Sequence, residues 1–236
     1  MSFIPKVLII AGSDSGGGAG IQADIKTTSY FNGYAMTAIT AITAQNTIGV
    51  QSIYPLPKEI VMEQINSITT DLSPDIVKIG MLADLDIIEY ISKKISNYKI
   101  VLDPVMVATS GDVLVSDEVV NSIKNNLINK SFLITPNIYE AEILSENKIN
   151  CLEDQIEAGK NLLKLGCKHV LVKGGHGNSD VINDVLITSS GDEYIFESKK
   201  IISKNTHGTG CSLASAIATN IGPVSYTHLR AHETTV

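Results

Sequence analysis

The chain lacks any apolar run long enough to span a bilayer. The run in MSFIPKVLIIAG is too short for that, and its Gly- and Asp-rich continuation has no signal-peptide cleavage pattern, so it reads as a buried first strand. Arginine is almost missing. Arg230 is the only one, the formal net charge is −7, and no basic stripe occurs, which argues against broad nucleic-acid binding and requires any anionic ligand to be held locally. The three cysteines, Cys151, Cys167 and Cys211, have no CxxC spacing, which suits a reducing cytosol better than a disulfide framework or a zinc site. No GxxxxGK[ST] occurs, which removes the usual P-loop. There is no internal repeat and no low-complexity linker. The 236 residues fit one large domain or two small ones, and 44% hydrophobic content is ample for a core.

What is present is alternation. Val7 to Ala11, Ala35 to Ala41, Ile76 to Ile79, Ile100 to Leu102, Phe132 to Thr135 and His169 to Lys173 read as short buried strands. Between them, Ala19 to Phe31, Lys58 to Ile68, Asp84 to Ser96, Asp117 to Leu127 and Leu152 to Leu165 space apolar residues at three or four and follow capping or turn residues. Val181 to Ile187 and Glu193 to Phe196, separated by Ser-Ser-Gly-Asp, read as a late hairpin. The pattern predicts an α/β fold, a mainly parallel sheet with helices on both faces. Ligands of such sheets gather at the carboxyl ends of the strands, which here carry Gly12 and Asp14, Gln45, Gly80 and Met81, Asp103, Asn137 and Lys173.

The segment NTHGTGCSLASAIA, from Asn205 to Ala218, is a glycine turn feeding into a small-residue helix. The first turn of a helix offers unpaired amides and a positive dipole end, so Gly208, Thr209 and Gly210 would present amides to an anion. Cys211 would lie beside that anion with a lowered pKa, placed to accept a proton from an incoming hydroxyl. A plain helix-starting turn fits the same residues. The first glycine cluster, Ala11 to Thr27, formally matches G-x-G-x-x-A at Gly18 to Ala23, but Gly18 lies several residues past the strand and no acid ends the second strand, so the dinucleotide reading fails. A mobile, backbone-lined loop remains.

In TPNIYEAE, Asn137 and Glu140 stand at a strand-to-helix junction, where they would orient hydrated Mg²⁺ and nucleotide phosphates or simply form a capping box. Asn150 with Glu153 repeats that spacing. Asp103 ends a buried strand before Pro104, fitting either a ligand or a turn. Lys173, beside glycines, suits a phosphate or a solvated strand end.

Taken in order, AGSDSGGGAGIQADIKT, TAITAQNT, VKIGML, VLDPVMVATSGD, TPNIYEAE, LVKGGH and NTHGTGCSLASAIA resemble the hydroxymethylpyrimidine and phosphomethylpyrimidine kinases of thiamine biosynthesis, within the ribokinase superfamily. The strings run collinearly from about Val7 to Ala218. The resemblance implies a ribokinase-like three-layer α/β/α sandwich and an ATP-dependent kinase acting on an aminopyrimidine and then on its monophosphate. It implies pyrimidine contacts from Gly12, Asp24, Gln45, Met81 and Val107. It places Asp103 and Glu140 around Mg²⁺, with Asn137, Lys173 and Thr206 on the nucleotide side. Cys211 stands where many superfamily members carry an aspartate, as the base beside the amides of Gly208, Thr209 and Gly210. A homodimer in the cytosol, with no membrane or nucleic-acid partner, is implied as well.

Pyridoxine or pyridoxal kinase is the nearest enzymatic alternative, and a pyrimidine-binding protein without turnover is another. A cysteine-nucleophile hydrolase would need an oriented histidine, and His207 is only near in sequence. The last twelve residues, SYTHLRAHETTV, hold the single arginine and no Ile or Lys. They read as a non-native tail at 225–236 that follows a kinase domain at 1–224 and displaces a native continuation after about Gly222.

Overall fold

The computed structural model describes residues 4–106, 114–175, 180–201, 203 and 206–221. Val107 and the 225–236 tail fall outside them. In chain order the elements are β1 (Lys6–Asp14), α1 (Gly20–Tyr30), β2 (Tyr34–Gln45), β3 (Val50–Pro55), α2 (Lys58–Asp71), β4 (Ile76–Ile79), α3 (Leu85–Lys94) and β5 (Lys99–Leu102). There follow α4 (Asp117–Asn126), β6 (Leu133–Ile134), α5 (Ile138–Ser145), α6 (Leu152–Leu163), β7 (His169–Val172), β8 (Val181–Thr188), β9 (Glu193–Lys199) and α7 (Thr209–Ile221).

The strands form one sheet in the order β3-β2-β1-β4-β5-β6-β7-β8-β9. The block from β2 to β7 is parallel. β3 pairs antiparallel on one flank, and β8 and β9 do so on the other. Parallel strands covered on both faces must be apolar on both, and β4 and β5 are buried almost throughout. β3 was not expected from sequence. It is a mostly exposed edge, so no buried apolar run announces it.

Pleat alternation divides the core. Leu8, Ile10, Val77, Ile79 and Leu102 face α2 to α6, whereas Val7, Ile9, Ile76 and Val101 face α1 and α7. Local signals set the helix starts. Asp84 caps α3 and Ser116 caps α4, each accepting an amide from the first turn. The Asn137 and Glu140 capping box forms at α5. The expected second box does not form: Cys151 is the N-cap of α6 without a side-chain bond, and the Asn150 amide goes instead to the Asp154 carboxylate. No helix among the described residues is long and apolar enough to cross a membrane.

Candidate active site

Chain reversal between β1 and its two parallel neighbours brings the first glycine loop and the start of α7 to the same sheet edge. The loop is tied down rather than loose. Asp14 Oδ1 accepts the Gly16 amide at 2.7 Å, and Oδ2 accepts those of Gly18 and Ala19 at 3.0 and 2.8 Å. His207 Nε2 lies 2.8 Å from the same Oδ2. Burial works to raise the Asp14 pKa, but His207 and the three amides outweigh it and hold the carboxyl below its ordinary value. The loop read from sequence as mobile and backbone-lined thus has three of its amides taken by Asp14.

The second loop fits against the first. Gly208 has φ +77°, and a Cβ there would stand 1.8 Å from the Gly18 carbonyl oxygen. Only glycine admits both that backbone and that approach. The first helical bond of α7 runs from the Ser212 amide to the Gly208 carbonyl at 3.0 Å, so the Gly210 and Cys211 amides precede it and have no acceptor within the helix. Thr209 differs from expectation. Its amide turns back to the Thr206 carbonyl at 3.3 Å, and its hydroxyl donates to the same oxygen at 2.9 Å.

Beneath this turn lies a compact charged group. Lys173 Nζ donates to Asp103 Oδ1 at 2.9 Å and lies 3.1 Å from where a Cβ on Gly210 would stand; Asp103 Oδ2 is 3.9 Å from that point. Thr135 also donates to Asp103 Oδ1, at 3.1 Å. Asn137 is bridged to Lys173 along the sheet edge. Its amide donates to Glu140 Oε2 at 2.9 Å while the Met106 amide reaches Oε1 at 3.4 Å. Burial drives the Glu140 pKa up to about 7, with Lys173 opposing and Asp103 adding to the rise. Burial would also raise Asp103, but Lys173 prevails and holds it low. Thus Asp103, Asn137, Glu140, Lys173 and Gly210 are brought together.

The other expected cluster is partly assembled. The Met81 methyl lies 3.1 Å from where a Gly12 Cβ would stand, so these two share one wall. Gln45 Oε1 accepts from Thr43 at 3.0 Å, which orients the side-chain amide. Asp24 does not join them. It is fully buried, with Lys78 Nζ at 2.9 and 2.8 Å from its two oxygens and the Ser215 hydroxyl at 2.7 Å, so its carboxylate is enclosed by protein and is not a surface contact.

Cys211 also departs from expectation. Burial pushes its thiol up to about 11, against Lys78 and the Gly20 amide, which lower it; the helix start does not by itself make a thiolate. His207 has Asp14 as its partner, and no hydrogen bond joins it to Cys211 among the described residues, so the cysteine-nucleophile arrangement is not built. The residues missed from sequence are Asp14 as the hub of the loop and Lys78. Each left a signal: Asp before Ser-Gly-Gly-Gly is an Asx-turn pattern, and a lysine inside the buried run IVKI needs a partner.

A doubly wound sheet with an anion-ready turn and a buried lysine-carboxylate group at its carboxyl edge defines a ribokinase-like phosphotransferase. The family model described as phosphomethylpyrimidine kinase matches residues 14–227. The hydroxymethylpyrimidine/phosphomethylpyrimidine kinase of Bacillus subtilis strain 168 is 48% identical over 218 residues, covering 91% of this chain and 80% of its own. A crystal structure of phosphomethylpyrimidine kinase from Clostridium difficile 630 superposes with a TM-score of 0.82 at 39% identity, covering 96% of this chain and 94% of that one. A Bacillus subtilis pyridoxal kinase solved as an ADP complex gives a TM-score of 0.86 at 35% identity, covering 94% and 86%. The chain belongs to the hydroxymethylpyrimidine/phosphomethylpyrimidine kinase family of thiamine biosynthesis.

Proposed function

We propose that this kinase transfers the γ-phosphoryl group of ATP to the hydroxymethyl oxygen of 4-amino-5-hydroxymethyl-2-methylpyrimidine, and then phosphorylates the monophosphate to the diphosphate. The observation that carries this reading is the Lys173–Asp103 pair directly beneath Gly210, at a glycine turn whose Gly210 and Cys211 amides have no acceptor within the helix. Gln45 would donate and accept at the ring nitrogen and exocyclic amine of the pyrimidine, while Met81 and Val107 give apolar contact. The Gly210 and Cys211 amides and Lys173 would face the charge on the transferring group, with Thr206 and Asn137 beside the nucleotide. Cys211, once deprotonated, would accept the hydroxymethyl proton as the oxygen attacks.

Mg²⁺ belongs to this proposal. No three of His, Cys, Asp and Glu cluster as a metal cage among the described residues. Two buried carboxylates are nevertheless the donor set that suits an ion arriving with phosphates; burial, with Asp103 adding to it, raises the Glu140 pKa, and a cation there would favour its ionised form. Asp103 and Glu140 would hold it, supplying charge neutralisation at the phosphates. A homodimer in a reducing cytosol completes the reading.

The test is coupled ATP consumption with the pyrimidine and then its monophosphate, run on wild type, Cys211→Ser and Cys211→Ala across pH. Loss of turnover in Cys211→Ala with retained ligand binding is expected; wild-type rates in both variants would remove Cys211 from the base role. The pyridoxal kinase neighbours favour a second reading, pyridoxal as substrate. Higher kcat/KM on pyridoxal than on the pyrimidine would decide for it. Tight pyrimidine binding in calorimetry without ATP binding would instead mark a binding protein without turnover.

A further inference from the structure

Lys78 has no part in the transfer just described, yet it is among the most enclosed side chains of the molecule. It lies on β4 with 0% side-chain exposure, as does its partner Asp24 on α1. A buried ion pair is seldom more stable than well-packed apolar residues of the same size, so its presence in a sheet centre calls for another reason. Position supplies one. Lys78 and Ile76 point to the face covered by α1 and α7, and the Lys78 ammonium comes within 3.1 Å of where a Cβ on Gly80, at the carboxyl end of β4, would stand.

Ser215, which donates to Asp24, lies one helical turn beyond Cys211 on α7. Residues four apart share a helix face, so thiol and hydroxyl are turned toward the same buried pair. The charged groups that act on Cys211 come from every neighbouring element: Lys78 from β4, Asp24 from α1, Asp103 from the end of β5 and Lys173 from the end of β7, together with the Gly20 amide. Burial opposes the charge on Lys78, but Asp24, with Cys211 and Asp103 beyond it, overrides burial and keeps the lysine protonated. Burial raises the Asp24 pKa, with Lys78 and the Ser215 hydroxyl opposing it, and the three hydrogen bonds it accepts are the arrangement that fits its ionised form.

We propose that Lys78 is a positioning residue for the base: Asp24 and Ser215 hold its ammonium beneath the first turn of α7, where it favours the thiolate of Cys211. The Cys211 proton leaves to solvent, the thiolate takes the hydroxymethyl proton as the oxygen bonds to phosphorus and ADP departs, and the regenerated thiol again releases its proton to solvent. This rests on the base role proposed for Cys211, and the test separates the two.

Iodoacetamide alkylation of Cys211 in the full chain, followed against pH by peptide mass spectrometry so that exposed Cys151 does not interfere, reads the thiolate directly. Lys78→Met removes the positive neighbour and should slow alkylation at fixed pH about tenfold, a shift of about one pH unit. Asp24→Asn removes a negative neighbour and should speed it. The double variant K78M/D24N leaves no unpaired buried charge; its Cys211 should titrate between wild type and K78M. Packing damage alone would not move the two single variants in opposite directions. Shifts of the same sign in the two single variants, or none in K78M, would overturn the role of Lys78 whatever turnover does. Opposite shifts with turnover unchanged would support the charge effect and remove Cys211 as base. Opposite shifts with kcat following the thiolate fraction, at constant pyrimidine KM, would support both.

Discussion

The two faces of the sheet are built differently. Under α2 to α6 the core is a continuous apolar cluster in which Leu8, Ile65, Ile79, Ile88 and Ile91 are fully buried. Under α1 and α7 the apolar cluster is smaller, and Asp24, Lys78, Thr28, Ser215 and Thr219 are buried with it. Thr219 donates to Ser215 O and approaches Thr28, so hydroxyl groups line the contact between the two helices. Small residues such as Ala214 and Ala218 let α7 lie close enough for this to happen. One face carries the stability of the fold, while the other gives up part of its apolar packing to set charges under a helix start.

That division is easiest to break at Gly208. Gly208→Ala places a methyl group on the Gly18 carbonyl and forces a left-handed backbone on alanine, so the turn must leave the first glycine loop. Turnover should fall by about 10² to 10³, the usual loss when an oxyanion donor is displaced, with helix content unchanged. Steady-state kinetics beside circular dichroism measures both, and near-normal kcat would show that the two loops need not touch. Ile88→Ala should do the opposite. It opens a cavity on the apolar face and should cost about 2–5 kcal/mol in urea unfolding. Turnover per folded molecule should stay within about twofold of wild type, since a 0.4 kcal/mol change is about the scale of such a factor; a larger drop would mean the faces are coupled.

The same division explains what was legible in the sequence. Strands β1, β4, β5 and β7 announce themselves because both their faces are covered, which leaves short, mostly apolar runs, broken inside β4 by Lys78. β3 does not, since an exposed edge needs no such run. At the carboxyl edge of the sheet, the positions of Asp103, Glu140, Lys173 and the glycine turn were legible because strand ends and helix starts are located by topology, while their site roles came from the resemblance. The role of Asp24 could not. Whether a carboxylate on α1 faces a ligand or a buried lysine depends on Lys78, which is 54 residues away in sequence. The Cys211 thiol misled for a related reason: a helix start is visible in a sequence, but the burial that outweighs it is not.

Glu140 is the polar intrusion on the apolar face, at the start of a helix whose Ala141 and Leu144 belong to that core, and it gives the subtlest test of the division. Its carboxyl titrates near 4.5 when exposed and at about 7 when folded, because burial penalises the charge. Between those values the folded chain retains a proton that the unfolded chain has lost, so stability falls as pH rises through the window, by up to about 3 kcal/mol in the absence of a cation. Glu140→Gln keeps an acceptor for the Asn137 amide and stays neutral, at the expense of the longer Met106 contact. The variant should gain roughly 1–2 kcal/mol above pH 7.5 in chelator-treated buffer, once that lost contact is allowed for, and little at pH 4.5. Urea unfolding at the two pH values measures it. Parallel pH profiles for both proteins would mean that Glu140 ionises in the fold with its ordinary pKa, and the apolar face would then tolerate a charge that its packing argues against.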